Sequence, residues 1–202
     1  MSLNFSKYSD NLIPTIIQSK TSGKVLMLGF SSAEAYEKSK ETRNATFFSR
    51  SKNRLWTKGE ESGNFLKIES IKYDCDEDTL LYICTPTGPT CHTGKDSCFF
   101  NNVDNKEKTD AELLWGVYET VLDRKNNAPE GSYVASLYKD GLDRIIQKVG
   151  EEAVETVIAA KNEDKDEFIG EFADLLFHMM VLLSEKEITL TEIVAKFKSR
   201  IK

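Results

Sequence analysis

Asn101-Asn102-Val103-Asp104-Asn105-Lys106-Glu107-Lys108 is the stretch on which the reading of this chain turns. Amides and charges fill it, Val103 is its one apolar side chain, and a run with so little to bury reads as a linker. The hydrophobic period differs on its two sides. Upstream, short segments rich in Ile, Leu, Phe and Tyr at 12–17, 25–30, 45–48, 65–73 and 79–85 read as strands. One helix over 32–40 interrupts them, with Ser31 and Glu34 at capping-box spacing and Ala33, Ala35 and Tyr36 following. Downstream, apolar residues recur every three and four positions over 132–139, 142–161 and 165–186, and Thr109/Glu112 and Thr189/Glu192 repeat the capping box. The expected architecture is two domains, an α+β, mainly β domain over 1–105 and an all-α helical domain over 106–202, with no internal repeat.

At 202 residues each half has enough chain to bury a core. Apolar residues at 40% and charged residues at 30% give a globular composition rather than a disordered one. With 27 basic against 33 acidic residues the net charge is −6, which argues against nucleic acid or anionic membrane as partners and makes any phosphate binding local. The longest apolar run, 175–183, is broken by His178 and falls short of the ~20 residues of a membrane span. No basic segment followed by an apolar one opens the chain, so a cytoplasmic protein is expected.

All four cysteines lie between Cys75 and Cys98, and clustered Cys beside Asp and His in a cytosolic chain reads as metal binding rather than disulfides. In an extended segment Asp74, Asp76 and Asp78 would share one face, with Cys75 on the other. Three carboxylates suit magnesium, and thiolates suit zinc. The competing reading makes the aspartates a solvated turn and the cysteines small core residues. It fits Cys84, beside Tyr82 and Ile83 in an apolar strand, better than it fits Cys75, Cys91, His92 and Cys98, three of which crowd a Gly/Pro loop. Three thiolates plus water would make an open, catalytic zinc site with His92 as base; His92 as fourth ligand would make a closed, structural one.

Residues 49–64 alternate cations, hydroxyls and glycines in an otherwise acidic protein. Arg forks, Lys charges and Gly-exposed amides bind phosphate, while a solvated hairpin turn has the same composition. In the second half, Glu152 and Glu155 are helical neighbours, with Glu151 one turn from Glu155, and Glu171 and Asp174 repeat the spacing with His178 continuing their stripe. Like charges this close repel, and a divalent cation would remove the penalty. A solvated acidic face is the alternative, and His178 reads as a hydrogen-bonded core histidine.

The strings VLMLGFSSAEA (25–35), FFSRSKNRLWTKGEESGN (47–64) and DCDEDTLLYICTPTGPTCHTGKDSC (74–98) strongly resemble the phosphoribosyl-AMP cyclohydrolases. That resemblance implies hydrolytic opening of the adenine ring of phosphoribosyl-AMP. It further implies zinc on Cys75, Cys91 and Cys98, magnesium on Asp74, Asp76 and Asp78, and homodimers whose zinc sites draw on both chains. Arg50, Lys52, Trp56, Lys58 and Ser62 are the implied substrate contacts, and His92 the implied general base; Asn64 stands where related sequences often carry His.

GSYVASLYKDGLDRIIQKVGEEAVE (131–155) and EFADLLFH (171–178) are similar to the phosphoribosyl-ATP pyrophosphohydrolases, from about residue 111 onward. The implication is magnesium on Glu152, Glu155, Glu171 and Asp174, with Glu151 a further candidate, and phosphate contacts from Lys139, Arg144 and Lys148. The second half's product would be the first half's substrate, two consecutive steps of histidine biosynthesis. A zinc nucleobase deaminase is the rival enzyme, but it needs His-x-Glu with Pro-Cys-x-x-Cys, and neither His92 nor His178 has that Glu. A structural zinc loop fused to a helical dimerisation domain is the rival without catalysis.

Overall fold

The computed structural model describes residues 3–103 and 109–201; residues 104–108 of the expected linker lie outside them. The chain divides into two compact units, Met1–Glu112 and Leu113–Lys202.

After a 3-10 turn at Phe5–Lys7, the first unit runs β1 (Ile13–Ser19), β2 (Val25–Ser31), α1 (Ala33–Thr42), β3 (Thr46–Ser49), β4 (Arg54–Thr57), β5 (Leu66–Tyr73) and β6 (Leu80–Pro86). Four strands form a sheet in the order β2-β1-β6-β5, and β3 and β4 form a separate hairpin. Among the described residues only β1 and β6 pair in parallel, which requires the long crossover that α1, the hairpin and β5 supply. Burial alternates along β1, so Ile13 and Ile17 enter the core with Leu26, Phe47, Leu66, Leu80 and Tyr82. Thr15 is buried on the same face and donates to Ser31 Oγ at 2.7 Å.

That bond bears on the helix start. Ser31 closes β2 with its hydroxyl already engaged, so Ser32 caps α1 instead, accepting from the Ala35 amide at 3.2 Å. The expected Ser31/Glu34 capping box is thereby corrected by one residue. Ser39 fastens α1 to β3, donating to the Thr46 carbonyl and accepting from its amide. The basic stretch adds a strand absent from the sequence reading, β4, because Arg50–Asn53 turn the chain back, with Asn53 at φ 49°.

The second unit is helical as expected: α2 (Asp110–Asn127), α3 (Tyr133–Asp140), α4 (Leu142–Ala159), α5 (Lys165–Glu185) and α6 (Leu190–Lys198). Both capping boxes form, Thr109 with Glu112 and Thr189 with Glu192. The core gathers Val121, Val134, Leu137, Ile145 and Val181. α4 and α5 pack along their length, and Thr156 on α4 lies against the Glu171 carbonyl on α5 at 3.1 Å.

Candidate functional site

β5 ends at Tyr73, so Asp74, Asp76 and Asp78 are not in an extended segment; a turn brings them together. Asp74 Oδ1 accepts from the Asp78 and Thr79 amides at 3.0 and 3.1 Å, and Glu77 takes a positive φ of 63° at the bend. Each carboxylate then offers an oxygen within 4.8 Å of the other two. Asp78 is only 6% exposed. Desolvation pushes the Asp74 carboxyl up, but the two amides outweigh it and hold it below the usual range. The 3-10 turn contributes an unforeseen neighbour, Lys7, whose ammonium pairs with Asp76 and Asp78 and is thereby held protonated well beyond the usual lysine range.

The cysteines divide. Cys84 is fully buried in β6, where burial pushes its thiol up to about 12, the core role expected of it. The Thr93 hydroxyl donates to Cys91 Sγ at 3.2 Å, lowering the Cys91 thiol, and Cys98 is close enough to lower it further. Burial, joined by Cys91, raises Cys98, against which the charge of Lys58 acts. Cys75 is exposed on the aspartate turn. Among the described residues, the sulfurs of Cys75, Cys91 and Cys98 do not come within 4.8 Å of one another as a group in a single chain. His92 is exposed, with Nδ1 3.9 Å from Cys91 Sγ.

The hairpin and its following loop carry the candidate substrate contacts. Arg50 lies over the Phe30 ring at 4.0 Å, Lys52 pairs with Glu61 at 3.4 Å, and Trp56 packs on Phe47. Lys58 is buried, and Ser62 accepts from the Asn64 amide. Gly59 has φ +95°, and a Cβ there would meet the Asn64 backbone at 2.6 Å; one on Gly88 would overlap the Asn64 side chain. Asn64 therefore packs closely against the start of the cysteine loop.

In the helical unit Glu152 and Glu155 on α4 and Glu171 on α5 bring oxygens within 4.8 Å, and Asp174 is close enough to act on Glu171. Desolvation, then Glu155, Glu152 and Asp174, raise the Glu171 carboxyl above its ordinary range, the electrostatic mark of acids assembled with too little positive charge. Glu152, 5% exposed, is paired with Lys148 at 2.6 Å, and Lys148 also reaches Glu151 at 3.0 Å. Arg144 stands 3.8 Å from Glu151. Lys139 lines a cavity of about 640 Å³ with residues of the 128–136 segment. His178 is the expected core histidine: Nδ1 donates to the Asp174 carbonyl at 2.9 Å, and Nε2 lies 3.0 Å from Tyr133 Oη.

The family model described as Phosphoribosyl-AMP cyclohydrolase matches residues 27–100, and that described as Phosphoribosyl-ATP pyrophosphohydrolase matches 115–201. Histidine biosynthesis bifunctional protein HisIE of Photobacterium profundum is 49% identical over 199 residues, 98% of this chain and 96% of that protein. Proteins of the same name from Bacteroides thetaiotaomicron and Escherichia coli are 49% and 46% identical, over 99% and 95% of this chain and 96% and 92% of their own lengths. The chain belongs to the bifunctional histidine-biosynthesis (HisIE) family. Each acidic group lies within the span of one of the two family domains, the aspartate turn in the cyclohydrolase match and the α4–α5 carboxylates in the pyrophosphohydrolase match. The strand-rich and helical units follow the same two-domain layout. Among the described residues no helix is long and apolar enough to cross a membrane.

Proposed function

We propose that this HisIE-family chain catalyses two consecutive hydrolyses. Its helical half releases pyrophosphate from phosphoribosyl-ATP, and its strand-rich half opens the adenine ring of the resulting phosphoribosyl-AMP. The observation that carries this reading is a separate carboxylate group in each half, inside the span matched by the corresponding hydrolase family.

The donors fit divalent ions: oxygen clusters at Asp74/Asp76/Asp78 and at Glu152/Glu155/Glu171 with Asp174 suit magnesium, and the Cys91–Cys98 pair suits zinc. Bound there, such ions would acidify water and neutralise phosphate charge. Glu151, paired with Lys148 and near Arg144, lies beside the ligand set rather than in it. Lys148 and Arg144 at the acidic cluster, and Lys139 at its cavity, offer cations to a polyphosphate. Arg50, Lys52, Trp56, Lys58 and Ser62 on the hairpin and its loop hold the nucleotide of the first half. His92, exposed beside Cys91, takes the proton from the attacking water at its imidazole.

The working form is a homodimer in the cytoplasm. Among the described residues the three thiols do not gather as a group within one chain, and the family resemblance implies a set completed by a second copy. Val154, Val157, Ile158, Phe168, Ile169 and Phe172 leave an apolar surface on α4 and α5 exposed, which a soluble monomer rarely carries. Free thiols throughout suit a reducing compartment.

The test is incubation with phosphoribosyl-ATP and magnesium, following pyrophosphate and the absorbance of the ring-opened product together. Cys91→Ser abolishes ring opening and spares pyrophosphate release; Glu155→Gln abolishes pyrophosphate release and still opens the ring of supplied phosphoribosyl-AMP. Loss of both activities from either substitution in a folded protein refutes independent sites.

A further inference from the structure

Lys7 is remote in sequence from the acids it touches, and nothing in the cyclohydrolase match, which begins at residue 27, includes it. Its turn is fastened independently of its charge. Leu3 and Phe5 pack against the sheet core, and the Asn4 amide donates to the Glu77 carbonyl at 2.7 Å. These anchors set the ammonium on Asp76 and Asp78, two of the three grouped carboxylates, while Tyr8 Oη reaches Asp78 from the same segment at 3.5 Å. Asp74 is served by backbone amides instead. The lysine side chain is 42% exposed, so it can leave into water without carrying the core with it.

An ammonium is a compact monovalent charge on a flexible stem, whereas a divalent ion brings twice the charge and takes oxygens from several carboxylates at once. Asp76 and Asp78 cannot serve both fully. Resting on the reading that the three aspartates hold a divalent cation, we propose that Lys7 is a tethered counter-ion of the aspartate turn. It balances the acids when no metal is bound, and an incoming divalent cation must displace it.

The experiment titrates Mn2+ into metal-stripped full-length protein and follows free Mn2+ by electron paramagnetic resonance. Asp76→Asn and Glu155→Gln assign the two classes of carboxylate site, since each removes one. Lys7→Gln then tightens the class that Asp76→Asn removes by about fivefold, the range open to an exposed ion pair, and leaves the other class unchanged. Lys7→Arg, which keeps the charge, stays near wild type. Lys24→Gln, the same charge change at the far end of β1, alters neither class. Unchanged or weaker Mn2+ binding in Lys7→Gln, or equal tightening in Lys24→Gln, overturns the counter-ion role. Failure of Asp76→Asn to remove any Mn2+ class overturns the metal reading of the aspartates, and the proposal falls with it.

Discussion

Replacing Thr156 by Val isolates the hydrogen bond that fixes one carboxylate helix against the other. Thr156 is 8% exposed, and its hydroxyl lies 2.7 Å from the Glu152 carbonyl in its own helix and 3.1 Å from the Glu171 carbonyl in α5. Both acceptors belong to residues of the acidic group, so this one proton ties their backbones together. Valine keeps the shape, opens no cavity, and avoids the roughly 2–5 kcal/mol of a large-to-small core truncation. The carbonyls also accept from their own helices, so neither is orphaned, and the loss is the net worth of one buried bond, about 1 kcal/mol. If all of that is expressed in the separation of Glu152 from Glu171, metal affinity of the helical half falls by a factor of about 5. Urea unfolding reads the stability change and Mn2+ titration the affinity, with Thr156→Ser, which keeps the hydroxyl, expected to retain wild-type affinity. Wild-type stability and wild-type Mn2+ binding in Thr156→Val would refute the reasoning; so would Thr156→Ser losing as much affinity as the valine variant.

Two further outcomes concern the strand-rich half. Burial pushes Cys84 from 9.0 to about 12 and Tyr82 from 10.0 to about 12, so the unfolded chain releases these protons at lower pH than the folded one. Their stabilising effect is complete below pH 9 and lost as pH rises toward 12, and Cys84→Ala should flatten the first part of that fall in pH-dependent denaturation. Gly29→Ala should destabilise this half by about 1–3 kcal/mol, because a Cβ there overlaps the buried Phe47 ring; a thermal unfolding midpoint equal to wild type would contradict that packing.

Local pattern determined the two-domain division, since alternation along β1 and three- and four-residue spacing along α4 and α5 are properties of neighbouring residues, and a chain folds each into the element that hides its apolar side. The carboxylate groups were legible for the same reason: Asp74, Asp76 and Asp78 sit in one short segment, and Glu152 and Glu155 on one helical turn. Even there the means differed, a turn rather than an extended strand gathering the aspartates, because amide bonds to Asp74 compete with the strand for the backbone. Only the tertiary structure could bring Lys7 onto Asp76 and Asp78 and set Thr156 of α4 against the Glu171 carbonyl of α5. Those relations join residues from different elements, and their distances follow from how the sheet and helices pack, which no spacing along the chain encodes.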